Sequence, residues 1–187
     1  MTEPRSDGGR RPGAPLPRWP VRIADVPAGG ILMRRRNLGA DDLAAFAAWI
    51  GVDGMSSFDL DIHVRPYRGD GLAVEGKVSA TVTQTCVVSL EPMENLIAEE
   101  VEATFRPEDK LKVHLVQDEE DGLSIDASVA ADDPLVGNAI DAAAIAAEFL
   151  ALGVDPYPRK PDAAFEPPPE GAEASPFAGL SKLKRGT

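Results

Sequence analysis

From Phe58 the chain alternates: Phe58, Leu60, Ile62 and Val64 take every second position, with Asp59, Asp61 and His63 between them. Successive side chains of a strand point to opposite faces, so this spacing predicts a strand with one face buried. The turn signal Tyr67-Arg68-Gly69-Asp70-Gly71 then predicts a hairpin. Beyond it Leu72, Val74, Gly76, Val78, Ala80 and Val82 keep the period of two along a second strand, in which Gly76 marks a bulge or bend. Ser89–Asn95 turns the chain again, Leu96–Pro107 alternates weakly as a third strand, and Lys110–Val116 is a candidate fourth. Ahead of this run, Pro20–Val26 carries a short alternation with Val21 and Ile23 inward, Pro27–Gly30 is a turn, and Ile31–Arg36 follows it.

Two stretches change to helical spacing. In Leu38–Val52, Leu43, Phe46, Ala47 and Ile50 share one face, Asp41 is the expected N-cap, and Gly51 or Gly54 ends the helix. In Val136–Val154, Asn138 or Asp141 is the cap, Gly153 ends the helix, and Ile140, Ala144, Ile145, Phe149 and Leu152 form the apolar stripe. Between them Gln117–Pro134 reads as an acidic loop of low order, and Asp155–Phe177 is too rich in proline for regular structure. The expected fold is therefore α+β. An antiparallel, curved sheet of about four or more strands packs with two main helices over residues 20–155. A disordered basic segment (1–19) precedes it, and a proline-rich linker with a basic tail (156–187) follows.

Composition changes this picture in three ways. Hydrophobic residues make up 43% of the 187 but aromatics only 5%, so the core is expected to consist mainly of Ala, Val, Leu and Ile. No stretch approaches the roughly 20 apolar residues that span a bilayer, and the N-terminus lacks the apolar run of a secretory signal, so a soluble, cytoplasmic chain is expected. The net charge of −12 is unevenly spread. Residues 1–36 hold eight Arg against three acids, residues 37–179 eight basic against 28 acidic residues, and the tail ends with Lys182, Lys184 and Arg185. So acidic a body repels a phosphate backbone, which leaves RNA contact to the basic ends or a local patch. Arg34, Arg35 and Arg36 beside the first helix are one candidate cluster. Phe177, Leu180 and Leu183, with Lys182, Lys184 and Arg185, form a short basic amphipathic segment suited to docking on a partner or on its own domain.

Candidate chemistry is sparse. Asp59, Asp61 and His63 lie about 7 Å apart along a strand, too far for one ion, and read as a solvated outer face. Cys86 is the single cysteine, so no intramolecular disulfide forms. With only His63 and His114 as possible bases and no triad pattern near either, Cys86 reads as a structural thiol. No glycine-rich phosphate loop is present, and no active site is specified; a non-enzymatic protein is expected.

Three segments together carry a resemblance: Val74–Pro92 (VEGKVSATVTQTCVVSLEP), Asn138–Pro161 (NAIDAAAIAAEFLALGVDPYPRKP) and the terminal SPFAGLSKLKRG. In this order, over roughly Ile31 to Arg185, they resemble the YceD family of large ribosomal RNA subunit accumulation proteins, in particular its alphaproteobacterial members. The matching positions are Gln84, Cys86, Ser89, Leu90, Glu91 and Pro92 in one segment and Asp155, Pro156, Tyr157 and Pro158 in the other. Many relatives carry Cys-x-x-Cys before Leu-Glu-Pro, often with a second pair further along, which suits zinc. Here Ser89 stands at the second position, and zinc is not expected; packing and hydrogen bonds must hold that turn. The resemblance implies a role in the synthesis, processing or stability of 23S rRNA, and so in large-subunit assembly. The implied partner is precursor or mature 23S rRNA or a large-subunit ribosomal protein. The alternative is an acidic adaptor that binds a basic ribosomal protein, or an RNA-processing enzyme, without touching RNA.

Overall fold

The computed structural model describes residues 15–111, 115–118, 122–125 and 132–165. Among these residues nine strands and two α-helices follow in chain order: β1 (Pro20–Arg22), β2 (Ile31–Arg36), α1 (Ala40–Ile50), β3 (Gly54–Tyr67), β4 (Gly71–Thr85), β5 (Pro92–Arg106), β6 (Leu115–Asp118), β7 (Gly122–Ile125), β8 (Asp133–Pro134), β9 (Ala139–Asp141) and α2 (Ala142–Leu152). The main sheet has the order β2-β3-β4-β5-β8. It is antiparallel throughout except that the short β8 runs parallel to β5. Two small pairs, β1 with β9 and β6 with β7, complete the strands. The α+β class and the antiparallel sheet are as the alternation predicted.

The period of two decides which face is buried. Phe58 stands opposite Ala80, Leu60 opposite Val78, and Val64 opposite Val74, all of them buried. On β5, Ile97 and Val101 continue the same face. Gly76 produces no bulge. It sits in register between Ile62 and Val101, and a Cβ there would lie 2.2 Å from the Asp61 carbonyl oxygen, at φ +155. The residue admits close approach of two strands, while the register shift falls between Met55 and Ser57 on β3.

Both helices cover the inner face, α1 against β3 and α2 against β4 and β5, and they touch each other. α1 begins after Gly39 with no side-chain cap; Asp41, expected there, lies in the first turn with Asp42, where carboxylates complement the dipole. It ends at Gly51 in the left-handed conformation. α2 is capped by Asp141, whose carboxylate accepts from the Ala143 N–H. Its buried residues are Ala142, Ala143, Ile145, Ala146, Ala147 and Leu150; of the expected stripe Ile145 is among them and Phe149 packs partly on the core. Ile140 is buried from strand β9, and Leu152 is 78% exposed. The physical reason is that α2 packs against both the sheet and α1, so small alanines serve where two neighbours approach closely.

Three further differences concern the edges. The body starts before Pro20: Leu16 and Trp19 pack on the core, and Trp19 meets Phe46 and Phe58 at centroid distances of 5.7 and 5.8 Å. An aromatic cluster thus closes one end of a core otherwise made of aliphatics. Part of the expected acidic loop is ordered, because Gly122–Ile125 pairs with Leu115–Asp118 as a hairpin and Asp133–Pro134 joins the main sheet. Of the candidate fourth strand, Lys110–Val116, Leu115 and Val116 belong to that pair and Lys110 to a short 3-10 turn, while residues 112–114 lie outside the described residues. Lastly, residues 155–160 have no regular structure but are held by the domain, as described next.

Candidate functional site

The β4 strand ends at Thr85, and after six intervening residues β5 begins at Pro92. The turn between them is shaped by Leu90, at φ 58, with the Leu90 N–H donating to the Cys86 carbonyl at 2.9 Å and the Cys86 N–H to the Glu91 carbonyl at 2.9 Å. Cys86 is wholly buried. Its sulfur accepts from the main-chain N–H of Ser89 at 3.5 Å and of Lys160 at 3.4 Å. The second donor arrives from the chain beyond α2. There the Val87 N–H donates to the Pro158 carbonyl at 2.9 Å, the Lys160 ammonium meets Glu91 at 2.6 Å, and the Gln84 amide donates to the Asp155 carbonyl at 2.8 Å. Gln84, 7% exposed at an inward position of β4, also accepts from the Asn95 amide at 2.7 Å. Asp155 in turn accepts the Tyr157 N–H at 2.8 Å, turning the chain into Pro158.

Hydrogen bonds from the Ser89 side chain, then from the Ser89 and Lys160 main chain, draw the Cys86 thiol down from 9.0 to about 6, although burial opposes this. Lys160 holds the Glu91 carboxyl below its usual range. The donor set does not fit zinc. One thiolate is present, its neighbour three residues on is a hydroxyl, and the sulfur already accepts two N–H groups. Among the described residues no three His, Cys, Asp or Glu side chains gather as a metal site.

The family-motif positions Gln84, Cys86, Ser89, Leu90, Glu91 and Pro92 thus meet Asp155, Pro156, Tyr157 and Pro158 in one place, about seventy residues apart in sequence. Sequence reading placed the second group at the start of a linker and missed Lys160, which binds the first group twice. The signal for contact was Gln84: an amide at an inward position of an alternating strand needs buried partners. Beside this closure, Gly51, Val52, Asp53, Gln84, Thr85, Val87, Val154, Asp155, Pro156 and Pro158 line an open hollow of about 310 Å³.

The arginine cluster is placed differently from what charge alone suggested. β2 is an edge strand, and Arg34 and Arg36 point to the outer face, where each meets a β3 acid: Arg34–Asp61 at 2.8 Å and Arg36–Asp59 at 3.2 Å. Arg35 points inward with its guanidinium 5.4 Å from the Trp19 ring centre. The outer face continues the pattern, because Asp61 stands opposite Lys77 and Lys77 pairs with Glu100 at 3.4 Å. One row across four strands therefore alternates Arg34, Asp61, Lys77, Glu100. His63, the remaining outer residue of the Asp59–Asp61–His63 set, lies 3.2 Å from the Gly29 carbonyl. Phe177, Leu180, Lys182, Lys184, Arg185 and His114 lie outside the described residues.

No helix among the described residues is long and apolar enough to cross a membrane. No curated protein and no protein of solved structure matches the chain significantly. A sequence model of one family, described as large ribosomal RNA subunit accumulation protein YceD, matches residues 74–184. The match takes in β4, β5, α2 and the closing segment, and leaves β2, α1 and β3 outside it. More than half of the chain is covered, including both segments that meet at Cys86: the chain belongs to the YceD family.

Proposed function

We propose that this chain is a non-enzymatic factor in the synthesis, processing or stability of 23S rRNA, and so in large-subunit assembly, with a basic large-subunit protein as its first contact. The observation that carries the RNA role is the family match over residues 74–184. The order of contacts is supported by the pairing on β2: Asp61 and Asp59 pair with Arg34 and Arg36, which leaves Arg35, stacked on Trp19, as the one cation of that cluster with no carboxylate partner among the described residues. The body, with 28 acidic against eight basic residues over 37–179, complements a basic protein. Direct RNA contact then falls to the basic tail, residues 176–187, with residues 1–14 adding three Arg against two acids.

Sedimentation of tagged chain with large-subunit precursors tests this reading. Full-length protein is expected to travel with the precursors, and a chain trimmed to residues 15–175 to keep its protein partner while losing contact with isolated 23S rRNA. Binding of RNA by the trimmed body, with affinity falling steeply as salt rises, would move the contact back to the domain surface. The adaptor reading, in which no part of the chain touches RNA, requires that full-length protein bind no 23S rRNA at all.

A further inference from the structure

Two turns face each other across the Cys86 sulfur. The first is Cys86–Ser89, with the Ser89 N–H on the sulfur. The second is Lys160–Ala163, whose Ala163 N–H donates to the Lys160 carbonyl at 3.1 Å while the Lys160 N–H points at the same sulfur. Two turns that each aim one N–H at a sulfur are a geometry suited to a tetrathiolate zinc site, whose four corners would be the first and last residues of the turns, positions 86, 89, 160 and 163. Three of these corners are Ser89, Lys160 and Ala163, none of which supplies the second thiolate that zinc would require. A different cation is present instead: the ammonium of Lys160, 2.6 Å from Glu91 on the opposite turn.

We infer that the Cys86 and Lys160 turns form a metal-free closure, in which Lys160 takes over the bridging role of a metal by binding Glu91 through its side chain and Cys86 through its main chain. One residue thereby ties the C-terminal segment to both ends of the β4–β5 turn. Its side chain is about one-third exposed while Glu91 is about two-thirds exposed, so the pair works together with the buried N–H to sulfur and Val87–Pro158 hydrogen bonds. The closure fastens the segment that follows α2 to the sheet without drawing on the metal pool.

Three measurements on the full-length chain test this. Elemental analysis of protein purified without chelator is expected to find no stoichiometric zinc, and EDTA to leave the thermal midpoint unchanged; one zinc per chain, or a fall in midpoint with EDTA, would overturn the inference. Lys160→Met keeps the alkyl stem and removes the charge. It is expected to lower the midpoint and to increase hydrogen exchange at Val87 and Lys160, with Lys160→Arg recovering much of the loss. Equal stability and equal protection in Lys160→Met would remove Lys160 from the role. Finally, the triple variant S89C/K160C/A163C is expected to bind one Co²⁺ with the absorption of a tetrahedral tetrathiolate. Cobalt binding no stronger than that of the wild-type chain would show that the two turns do not face each other as four corners.

Discussion

At the residue scale the account rests on two buried polar groups at the end of β4, Cys86 and Gln84. The Cys86 thiol is lowered from 9.0 to about 6 by hydrogen bonds made only in the fold. A group with a depressed folded pKa favours the folded state fully above its unfolded pKa, and this contribution is lost as pH falls through the folded value. Stability should therefore rise between about pH 6 and pH 9, and Cys86→Ala should flatten that rise. Thiolate absorbance at 240 nm checks the value directly; a midpoint near the ordinary cysteine value would refute the hydrogen-bond account. The sulfur is wholly buried, so iodoacetamide should label it slowly in the native chain and rapidly after unfolding. Gln84→Ala strips the Asn95 amide and the Asp155 carbonyl of their partner. Urea denaturation should show a loss of about 1–3 kcal/mol, the range for a buried group left unsatisfied; a loss under about 0.5 kcal/mol would mean that water replaces the amide.

At the element scale, what the sequence made legible was governed by period, and what it hid was governed by contact. The strands β3 and β4 were readable because Phe58 to Val64 and Leu72 to Val82 keep an unbroken alternation, and the hairpin between them because Gly69 suits positive φ, observed at 85 beside Arg68 at 50. Helix α2 was legible as a helix but its buried side only in part, at Ile145 and Phe149. Nearly every position is Ala, Ile, Phe or Leu, so a helix wedged between sheet and neighbour has no polar face to fix its rotation. Its start was hidden too, because Ile140 fits either a helical stripe or the strand it adopts. Asp141 resolves that choice: one carboxylate oxygen accepts from Ala143, capping α2, and from the Trp19 N–H, holding the segment that leads into β1. Asp141→Ala should cost about 2 kcal/mol in chemical denaturation, more than a typical cap, because two N–H groups lose their acceptor. Asp141→Asn should retain most of this. Equal losses in the two variants would mean that the charge, not the hydrogen bonds, holds the helix start.

At the scale of the whole molecule, charge predicted the character of the surface but not the role of individual residues. Arg34, Arg35 and Arg36 form a basic cluster in sequence; in the sheet, alternation sends two outward onto Asp59 and Asp61 and one inward onto Trp19. The cluster read from sequence is thus divided in the sheet between two exposed ion pairs and one cation–π contact, in which Arg35 keeps its charge. The motif at Cys86 shows the converse. Its two halves are separated by the whole of β5 and α2, and order alone identified them as belonging together, while the hydrogen bonds that join them required coordinates. The family match covers both halves and carries the functional reading, a part in the accumulation of large-subunit rRNA.

The measurement that tests this claim most directly is the ratio of large to small ribosomal subunits, by gradient sedimentation, in cells depleted of the protein. The account predicts a selective loss of large subunits and of 23S rRNA, restored by the wild-type chain and by an Arg34→Ala, Arg36→Ala double variant. An unchanged ratio would contradict it, and would leave the chain with the fold of its family but without that role.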